Sequence, residues 1–145
     1  MSIAQLTVGD RVSAYGRLIR FSHSIFALPF VLAMCVICAE NYPFSVMQGV
    51  WILFAVVSAR SAAMAFNRIV DRYIDAKNPR TAGREIPSGE VGVREAVVFC
   101  TASCLLFLLS SWQLGAHCLV VAPFVLIVLL GYSFTKRFTS YSHIV

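Results

Sequence analysis

The chain has 145 residues, of which 59% are hydrophobic and 13% are charged, and its mean hydropathy is positive. Soluble domains carry about twice that share of charged residues, so the composition excludes an ordinary water-soluble fold and indicates a membrane protein. The net charge of +5 comes from twelve basic residues that fall in three places along the chain, a distribution that argues against nucleic acid as a partner.

Four apolar stretches are long enough to cross a bilayer core about 30 Å thick, which requires about 20 residues per helix. Unpaired backbone groups are costly in lipid, and the stretches lack the alternation of a barrel strand, so each is predicted to be helical. The sequence therefore predicts an all-α, integral-membrane bundle that forms a single domain over residues 1–145. The four transmembrane helices are predicted at 22–39, 44–66, 95–112 and 116–134.

The order of basic segments predicts how the chain lies in the membrane. The leader Met1–Arg20 is polar, and its YGRLIRFSHS portion is predicted to begin the first helix. The short connections ENYPFS and WQLGAH contain no lysine or arginine, whereas the leader, the long loop 76–94 and the end of the fourth helix are basic. By the positive-inside rule both termini and the 76–94 loop are cytoplasmic, as expected for a multi-pass protein of a bacterial inner membrane.

The second apolar run ends in NRIVDRYID, which places Asn67, Asp71 and Asp75 at four-residue intervals. Residues four apart advance about 40° around a helix, so these oxygen-bearing side chains form a narrow stripe about 12 Å long. Mg²⁺ favours one or two carboxylates and is often shared with substrate phosphates, so the stripe suits a metal that carries a diphosphate. The alternative is a solvated acidic face that pairs with Arg68 and Arg72.

Arg60 lies seven residues before Asn67, which returns it to within about 20° of the same helix face. An arginine inside a span is costly and normally faces the bundle interior, a cavity or a counter-charge. We therefore predict that Arg60 contacts an anionic substrate; a structural ion pair with Glu40 is the alternative.

Polar residues of the first and fourth helices are expected at the depth of the acidic stripe. They are Arg20 and His23 on the first helix, and Tyr132 and Lys136 on the fourth. Each alone is typical of an interfacial anchor, but together with a metal-binding stripe they indicate a site that neutralises a multiply charged phosphate. A diphosphate site above apolar helices implies an isoprenyl diphosphate, which ionises to an allylic cation that an electron-rich acceptor captures.

The segment NRIVDRYID, followed by NPRTAGREIPSG, resembles the first aspartate-rich motif and adjoining loop of the UbiA-type aromatic prenyltransferases, which include the 4-hydroxybenzoate polyprenyltransferases. The segments RLIRFSHSIFALPF, ARSAAMAFNR and GYSFTKRFT are similar to the same family. The resemblance implies that Asn67, Asp71 and Asp75 bind a prenyl diphosphate through Mg²⁺. It implies phosphate contacts for the tyrosine and lysine of a Tyr-x-x-x-Lys pattern, Tyr132 and Lys136, and for Arg20 as the counterpart of a basic residue in helix one.

Members of this family have two related halves, and a second aspartate-rich motif in the later half faces the first. The chain resembles only the first half, so a missing C-terminal half is expected to complete an incomplete UbiA-type fold. The expected activity is transfer of an isoprenyl chain from a polyprenyl diphosphate to an aromatic acid such as 4-hydroxybenzoate, in ubiquinone or menaquinone biosynthesis. Arg60 would orient the acceptor carboxylate, and membrane lipid surrounds the bundle. The alternative is a non-catalytic four-helix membrane protein or an inactive fragment.

Overall fold

The computed structural model describes the backbone of residues 8–138 and the side chains of residues 9–20 and 28–134. Helix is the only regular secondary structure in the described residues. The helices are joined by short connections, except for one long loop. The elements are α1 (Val8–Leu18), α2 (Phe21–Ala39), α3 (Val46–Lys77), α4 (Val93–Leu114) and α5 (Ala116–Phe138). The predicted all-α bundle is confirmed.

Three helices are long and apolar enough to cross a membrane, namely α3, α4 and α5 up to Phe134. The first predicted span, 22–39, corresponds to α2, where the apolar helix with described side chains, Leu28–Ala39, is shorter than a full span. Most of the large hydrophobic side chains on these helices are exposed in the bundle and would face lipid. This is the surface expected of an integral membrane protein.

The central pair of helices, α3 and α4, has the most extensive contact in the bundle. Their interface is built from small side chains, which let two backbones approach closely without a bulky core. The small residues buried along these two helices are Ser58, Ser61, Ala62 and Ala65 of α3 and Ala96, Cys100, Ser103, Ser110 and Ser111 of α4. The thiol of Cys100 lies 3.5 Å from the carbonyl oxygen of Ala62, which shows how close the two helices come.

Four of the buried serines, Ser58, Ser103, Ser110 and Ser111, satisfy their hydroxyls by donating to backbone carbonyls within their own helix. The Ser58 hydroxyl donates to the Phe54 oxygen at 2.5 Å, and the Ser110 hydroxyl donates to the Leu106 oxygen at 2.8 Å. Such bonds remove the cost of burying a hydroxyl in an apolar setting. Serine therefore acts in this interface as a small residue.

The sequence prediction that the leader runs into the first helix is wrong. Helix α1 ends at Leu18, and α2 begins at Phe21 after Arg20, whose backbone is left-handed with φ 48° and ψ 56°. This conformation is uncommon for a residue with a β-carbon and interrupts the helical hydrogen bonds. The described part of the leader therefore forms a separate helix, α1, joined to α2 by a sharp turn.

Helix α1 packs against the end of the bundle where α3 finishes and α4 begins, which we call the polar end. Ala14 and Leu18 of α1 are buried with Ile86 and Val91 of the loop that connects α3 to α4. The ring of Tyr15 stacks on Phe99 at 5.2 Å between centroids. Burial raises the pKa of the Tyr15 phenol above its ordinary value, so this side chain stays neutral in its contact with α4.

Two ion pairs add to this packing of α1. The Arg17 guanidinium donates to the Glu90 carboxylate of the loop at 2.6 Å and also to the Ser13 hydroxyl at 2.8 Å. Arg11 lies 3.6 Å from Glu95 at the start of α4. Both pairs are exposed and contribute little stability individually, so the apolar contacts hold α1 in place and the charges orient it.

Helix α3 extends past the predicted span 44–66 and carries the whole acidic stripe. The helix continues to Lys77 and stops before Pro79, because the residue that precedes a proline disfavours the helical conformation. Asn78 follows with an extended backbone, and its side-chain oxygen accepts a hydrogen bond from the Arg80 amide at 3.0 Å. The Thr81 hydroxyl donates to the Asp75 carbonyl at 3.0 Å and so satisfies an end group of the helix.

The loop between α3 and α4, residues 78–92, is folded by turns over the polar end. Backbone hydrogen bonds of 2.9 Å join the Ser88 amide to the Arg84 oxygen and the Val91 amide to the Glu85 oxygen. Its buried Ile86 and Val91 anchor it to α1 and α4. The loop is therefore a structured element that can position side chains, which a solvated linker could not do.

Gly89 adopts a positive φ of 77° within this loop, where an added β-carbon would meet no atom within 4 Å. We expect Gly89→Ala to lower the free energy of unfolding by about 1 kcal/mol, because the only penalty is the left-handed backbone. Gly83→Ala is the matched control, since Gly83 is equally uncrowded and lacks a positive φ. Denaturant titration in mild detergent measures both, and equal stabilities of the two variants would contradict the prediction.

Candidate functional site

The stripe of Asn67, Asp71 and Asp75 lies on one uninterrupted helix, so the four-residue spacing is preserved in three dimensions. Their surroundings differ. Asn67 and Asp71 are half-buried, whereas Asp75 is only 5% exposed. Because each four-residue step turns about 40°, Asp75 lies roughly 80° around the helix from Asn67 and within about 20° of Arg68. The stripe therefore rotates toward the face that carries Arg68.

Asp75 is held by an arginine from the loop. The Arg84 Nη1 group donates to both carboxylate oxygens of Asp75, at 2.6 Å to Oδ1 and 2.7 Å to Oδ2. The Asp75 side chain is 8% exposed and the Arg84 side chain 27% exposed, so the pair is largely withdrawn from water. A charge-assisted contact this short and this buried is much stronger than a surface ion pair.

The alternative hypothesis, in which the acidic residues pair with Arg68 and Arg72, is wrong for Asp75. Arg72 donates instead to the Ile69 carbonyl at 2.7 Å, and its guanidinium lies 4.2 Å from the centre of the Tyr73 ring. The true partner, Arg84, is nine residues along the chain and reaches Asp75 only because the loop folds back. Helical periodicity carries no information about such a contact.

A cavity of about 820 Å³ opens beside this ion pair at the polar end. We call it the arginine cavity, because α1, the α1–α2 turn, α3 and the loop each contribute arginine to its wall. It is lined by Ser13, Gly16, Arg17, Arg20, Arg68, Arg80, Thr81, Gly83, Arg84 and Glu85. Among these arginines, the sequence predicted a role in the site for Arg20 alone. The density of arginine in and around the NPRTAGRE segment was the signal that could have indicated the others.

Arg68 is the most buried arginine in this wall, with 5% of its surface exposed. Its Nε group is buried and has no hydrogen-bond partner within the described part of the chain. The same is true of the Glu85 Oε2 atom, which is also in the cavity wall. Buried polar atoms without partners are rare in folded proteins and indicate a place where a ligand or water binds.

The other described residues that the sequence predicted for the site lie outside the lining of the arginine cavity. Arg60 is half-buried on α3, and its Nε atom is buried without a hydrogen-bond partner among the described residues. The described chain contains no ion pair between Arg60 and Glu40; Glu40 is exposed at the end of α2. Tyr132 is 45% exposed near the end of α5. None of these residues is among the described residues that line the arginine cavity.

The predictions for two further residues fall outside the described side chains. Lys136 belongs to α5 and His23 to α2, but the positions of their side chains are not described. The end of α5 nevertheless lies close to α3, because the Phe134 and Phe66 rings pack edge to face at 5.7 Å between centroids. Phe66 precedes Asn67, so the end of α5 reaches the depth of the acidic stripe.

An apolar groove of about 380 Å³ runs between α3, α4 and α5, and its α3 residues Phe66 and Ile69 flank Asn67 and Arg68 along the helix. Its wall carries almost no polar surface, so it suits a hydrocarbon chain. The lining residues are Phe66, Ile69, Val97, Cys100, Thr101, Cys104 and Leu130. An ionic cavity and an apolar groove thus include residues from the same turns of α3, on different faces of the helix.

The oxygen donors of the stripe fit a divalent cation in part. Asn67 and Asp71 offer the hard oxygen ligands that Mg²⁺ prefers, and a magnesium ion that carries substrate phosphates needs only one or two protein carboxylates. Both Asp75 oxygens are occupied by Arg84, so Asp75 could join a metal only after Arg84 moves away. Within the described residues, no group of three or more histidine, cysteine, aspartate or glutamate side chains forms a ready-made metal cage.

These features define an integral-membrane α-helical protein with an arginine-lined cavity at one end and an apolar groove formed by α3, α4 and α5. The UbiA prenyltransferase family model matches residues 27–145. The chain belongs to the UbiA prenyltransferase family.

Individual relatives agree with this assignment. The chain is 36% identical over 136 residues to the 4-hydroxybenzoate octaprenyltransferase of Acidovorax ebreus, an alignment that covers 89% of the chain and 45% of the relative. It is 38% identical over 100 residues to the protoheme IX farnesyltransferase of Deinococcus radiodurans, covering 63% and 32% of the two chains. The chain thus spans less than half the length of these relatives.

A solved structure supports the fold as well. The apo structure of a UbiA homologue from Aeropyrum pernix K1 superimposes with a TM-score of 0.73 and 37% sequence identity. The match covers 80% of this chain and 42% of that chain. The bundle is therefore a UbiA-like arrangement of helices.

Proposed function

We propose that this chain forms the donor-binding part of a membrane prenyltransferase. The reaction moves an isoprenyl chain from a polyprenyl diphosphate to an aromatic acid such as 4-hydroxybenzoate, in the biosynthesis of ubiquinone or menaquinone. The observation that carries the proposal is that an acidic stripe, an arginine-lined cavity and an apolar groove all include residues from the same end of α3. Relatives named 4-hydroxybenzoate octaprenyltransferase support the choice of substrates.

The arrangement of the cavity and the groove suggests how a donor substrate would lie in the site. A polyprenyl diphosphate has a multiply charged head and a long hydrocarbon tail. The head would lie at the polar end beside Asp71 and the arginines, and the tail would enter the groove lined by Phe66 and Leu130. Since the polar end is also the basic end, the positive-inside rule puts this site on the cytoplasmic side of the membrane, in bacteria the inner membrane.

In the proposed reaction the bond between the first prenyl carbon and the diphosphate oxygen breaks, and diphosphate leaves with the electron pair. The allylic cation then forms a carbon–carbon bond with the electron-rich ring of the acceptor, and the ring releases a proton. The arginines would stabilise the leaving anion, and the apolar helices would exclude water from the cation. Arg60, half-buried two turns before Asn67, would orient the acceptor carboxylate.

Magnesium would be held by Asn67 and Asp71, and by Asp75 once its carboxylate is released from Arg84. When bound, it neutralises charge on the departing diphosphate. A second acidic motif, which the family resemblance predicts in the later half of such proteins, would complete the site. The alternative remains a non-catalytic membrane protein whose polar residues are purely structural, and the Asp75–Arg84 pair is the observation that favours it.

Binding of a radiolabelled polyprenyl diphosphate to the protein in lipid nanodiscs separates the two functions. We expect saturable binding that Mg²⁺ strengthens at least about tenfold over binding in EDTA, because a metal shared between carboxylates and phosphates supplies charge-assisted contacts. Glu40→Gln is the matched control, since Glu40 is an exposed carboxylate away from the stripe. Absent binding, or binding that Mg²⁺ does not strengthen, would favour the structural alternative.

A further inference from the structure

Three sulfur-bearing side chains line one cleft between α2 and the start of α3, far from the polar end. The cleft has a volume of about 440 Å³, and its sulfur-bearing residues are Met34, Cys35 and Cys38 of α2. We call it the sulfur cleft. Both cysteines are free thiols. Since α3 finishes at the polar end, the junction of α2 with the start of α3 lies at the opposite end of the bundle. The sulfur cleft is therefore separate from the arginine cavity and the acidic stripe.

Helical spacing brings these three side chains together. Cys35 and Cys38 are three residues apart on α2, and Met34 and Cys38 are four apart. Side chains at these spacings are neighbours on a helix surface, with β-carbons about 5–6 Å apart, and Cys38 lies between the other two around the helix. A metal–thiolate bond is about 2.3 Å long, so one ion between the side chains can reach all three sulfurs.

The set of donor atoms selects a soft metal ion. Thiolate and thioether sulfurs favour copper(I), zinc and iron–sulfur clusters, whereas Mg²⁺ and Ca²⁺ require oxygen ligands. Structural zinc and iron–sulfur clusters are held by four protein ligands. In the part of the chain that the structure describes, no third histidine, cysteine, aspartate or glutamate joins the two thiols. Copper(I) accepts two thiolates and a thioether, which are the ligands that Met34, Cys35 and Cys38 supply.

The surroundings of the sulfurs suit this ion. Phe44 and Ile52 form the wall of the cleft opposite α2 and would limit the access of water to the metal. Two thiolates and one copper(I) ion carry a single negative charge. Cys38 is exposed and is the second-last residue of α2, so this charge would lie near a membrane surface, where its cost is lower than at the bilayer centre.

Helix packing does not account for the sulfurs. Cysteine and methionine commonly serve as small or adaptable apolar residues in a packed interior. Met34 is 58% exposed and Cys38 is also exposed. Helix α2 packs only lightly on α3, so the cleft can adjust to the geometry of a bound ion.

We propose that the sulfur cleft binds one copper(I) ion through the Sγ atoms of Cys35 and Cys38, with the Sδ atom of Met34 as the third ligand. Three copper–sulfur bonds form, the two thiol protons pass to water, and copper keeps its oxidation state. The site is independent of the proposed transferase function, because none of its ligands belongs to the arginine cavity or the acidic stripe.

The test measures the affinity of the protein for copper(I) in phosphatidylcholine nanodiscs, without oxygen, by competition with bicinchoninate. Cys35→Ser and Cys38→Ser should each weaken binding by at least about tenfold, since changes outside the ligand shell already cost about 10- to 100-fold. Met34→Leu nearly preserves side-chain volume and should weaken binding several-fold. Cys118→Ser is the matched control, because Cys118 is an exposed thiol of α5 outside the cleft lining, and it should bind like the wild type.

X-ray absorption at the copper edge provides a second measurement, in which we expect a ligand shell of sulfur alone. Wild-type affinity after joint replacement of Cys35 and Cys38 by serine would overturn the site, as would equal weakening by Cys118→Ser or a shell dominated by oxygen or nitrogen. Tighter binding of zinc(II) than of copper(I) would overturn the choice of metal. Circular dichroism checks that each variant keeps its helices. Neither measurement involves a prenyl diphosphate, so failure of donor binding leaves this result unchanged.

Discussion

Replacing Asp71 by asparagine should reduce Mg²⁺-dependent prenyl transfer by at least about 100-fold in the full-length gene product. Asp71 is half-buried at the centre of the stripe, and we assign it the main carboxylate contact with the metal. Outer-shell changes at metal sites already cost about 10- to 100-fold, and loss of a direct ligand should cost at least as much. The measurement is transfer of a labelled prenyl group to 4-hydroxybenzoate at saturating donor.

The substitution preserves the size of the side chain and should leave the helices and membrane insertion unchanged. Circular dichroism and a membrane-flotation assay check this point. Glu40→Gln serves as the comparison, because it removes a carboxylate from an exposed position far along the chain from the stripe. If the Asp71→Asn variant kept activity within a few-fold of the wild type, the assignment of Asp71 to the catalytic site would be wrong.

Replacing Arg84 by alanine should lower the free energy of unfolding by about 3 kcal/mol. The Asp75 carboxylate is 8% exposed and would lose a partner that contacts both of its oxygens. Removing one partner of a buried ion pair costs about 3–5 kcal/mol, because the other charge remains buried and unpaired. Arg84 is partly exposed, so we expect a loss of stability at the lower end of this range. Denaturant titration in mild detergent measures the effect.

Two comparisons separate this contact from a general effect of the loop. Arg80→Ala removes an exposed arginine four residues away and should change stability by less than about 0.5 kcal/mol. The double variant Asp75→Asn with Arg84→Gln removes both charges and should recover most of the stability. If Arg84→Ala were as stable as Arg80→Ala, the ion pair would have no structural role.

The sequence predicted what depends on local periodicity and composition. The helices, the extension of α3 through Asp75 and the polar loop before α4 follow from apolar length, four-residue spacing and the proline after Asn78. All of these are set by residues within a few turns of one another. The span predicted at 22–39 corresponds to α2, in which Leu28–Ala39 is the apolar part with described side chains.

The features that were missed depend on contacts between distant segments. The left-handed backbone at Arg20 breaks the leader from α2, and nothing in YGRLIRFSHS marks it, because arginine has no preference for that conformation. The pairing of Asp75 with Arg84 requires the loop to fold back over α3. The burial of Arg68 requires α1 and the loop to cover it. A sequence pattern indicates which residues are charged, but only the packing determines which of them converge.

The most direct test is an experimental structure of the protein with Mg²⁺ and a non-reactive prenyl thiolodiphosphate. We predict that the diphosphate lies at the polar end, with Asp71 on the metal and Arg68 on the phosphate oxygens. Arg84 should have moved from the Asp75 carboxylate, and the prenyl chain should enter the groove beside Phe66. A diphosphate bound elsewhere, with Asp71 away from the metal and the Asp75–Arg84 pair unchanged, would contradict a donor site at this end of the bundle.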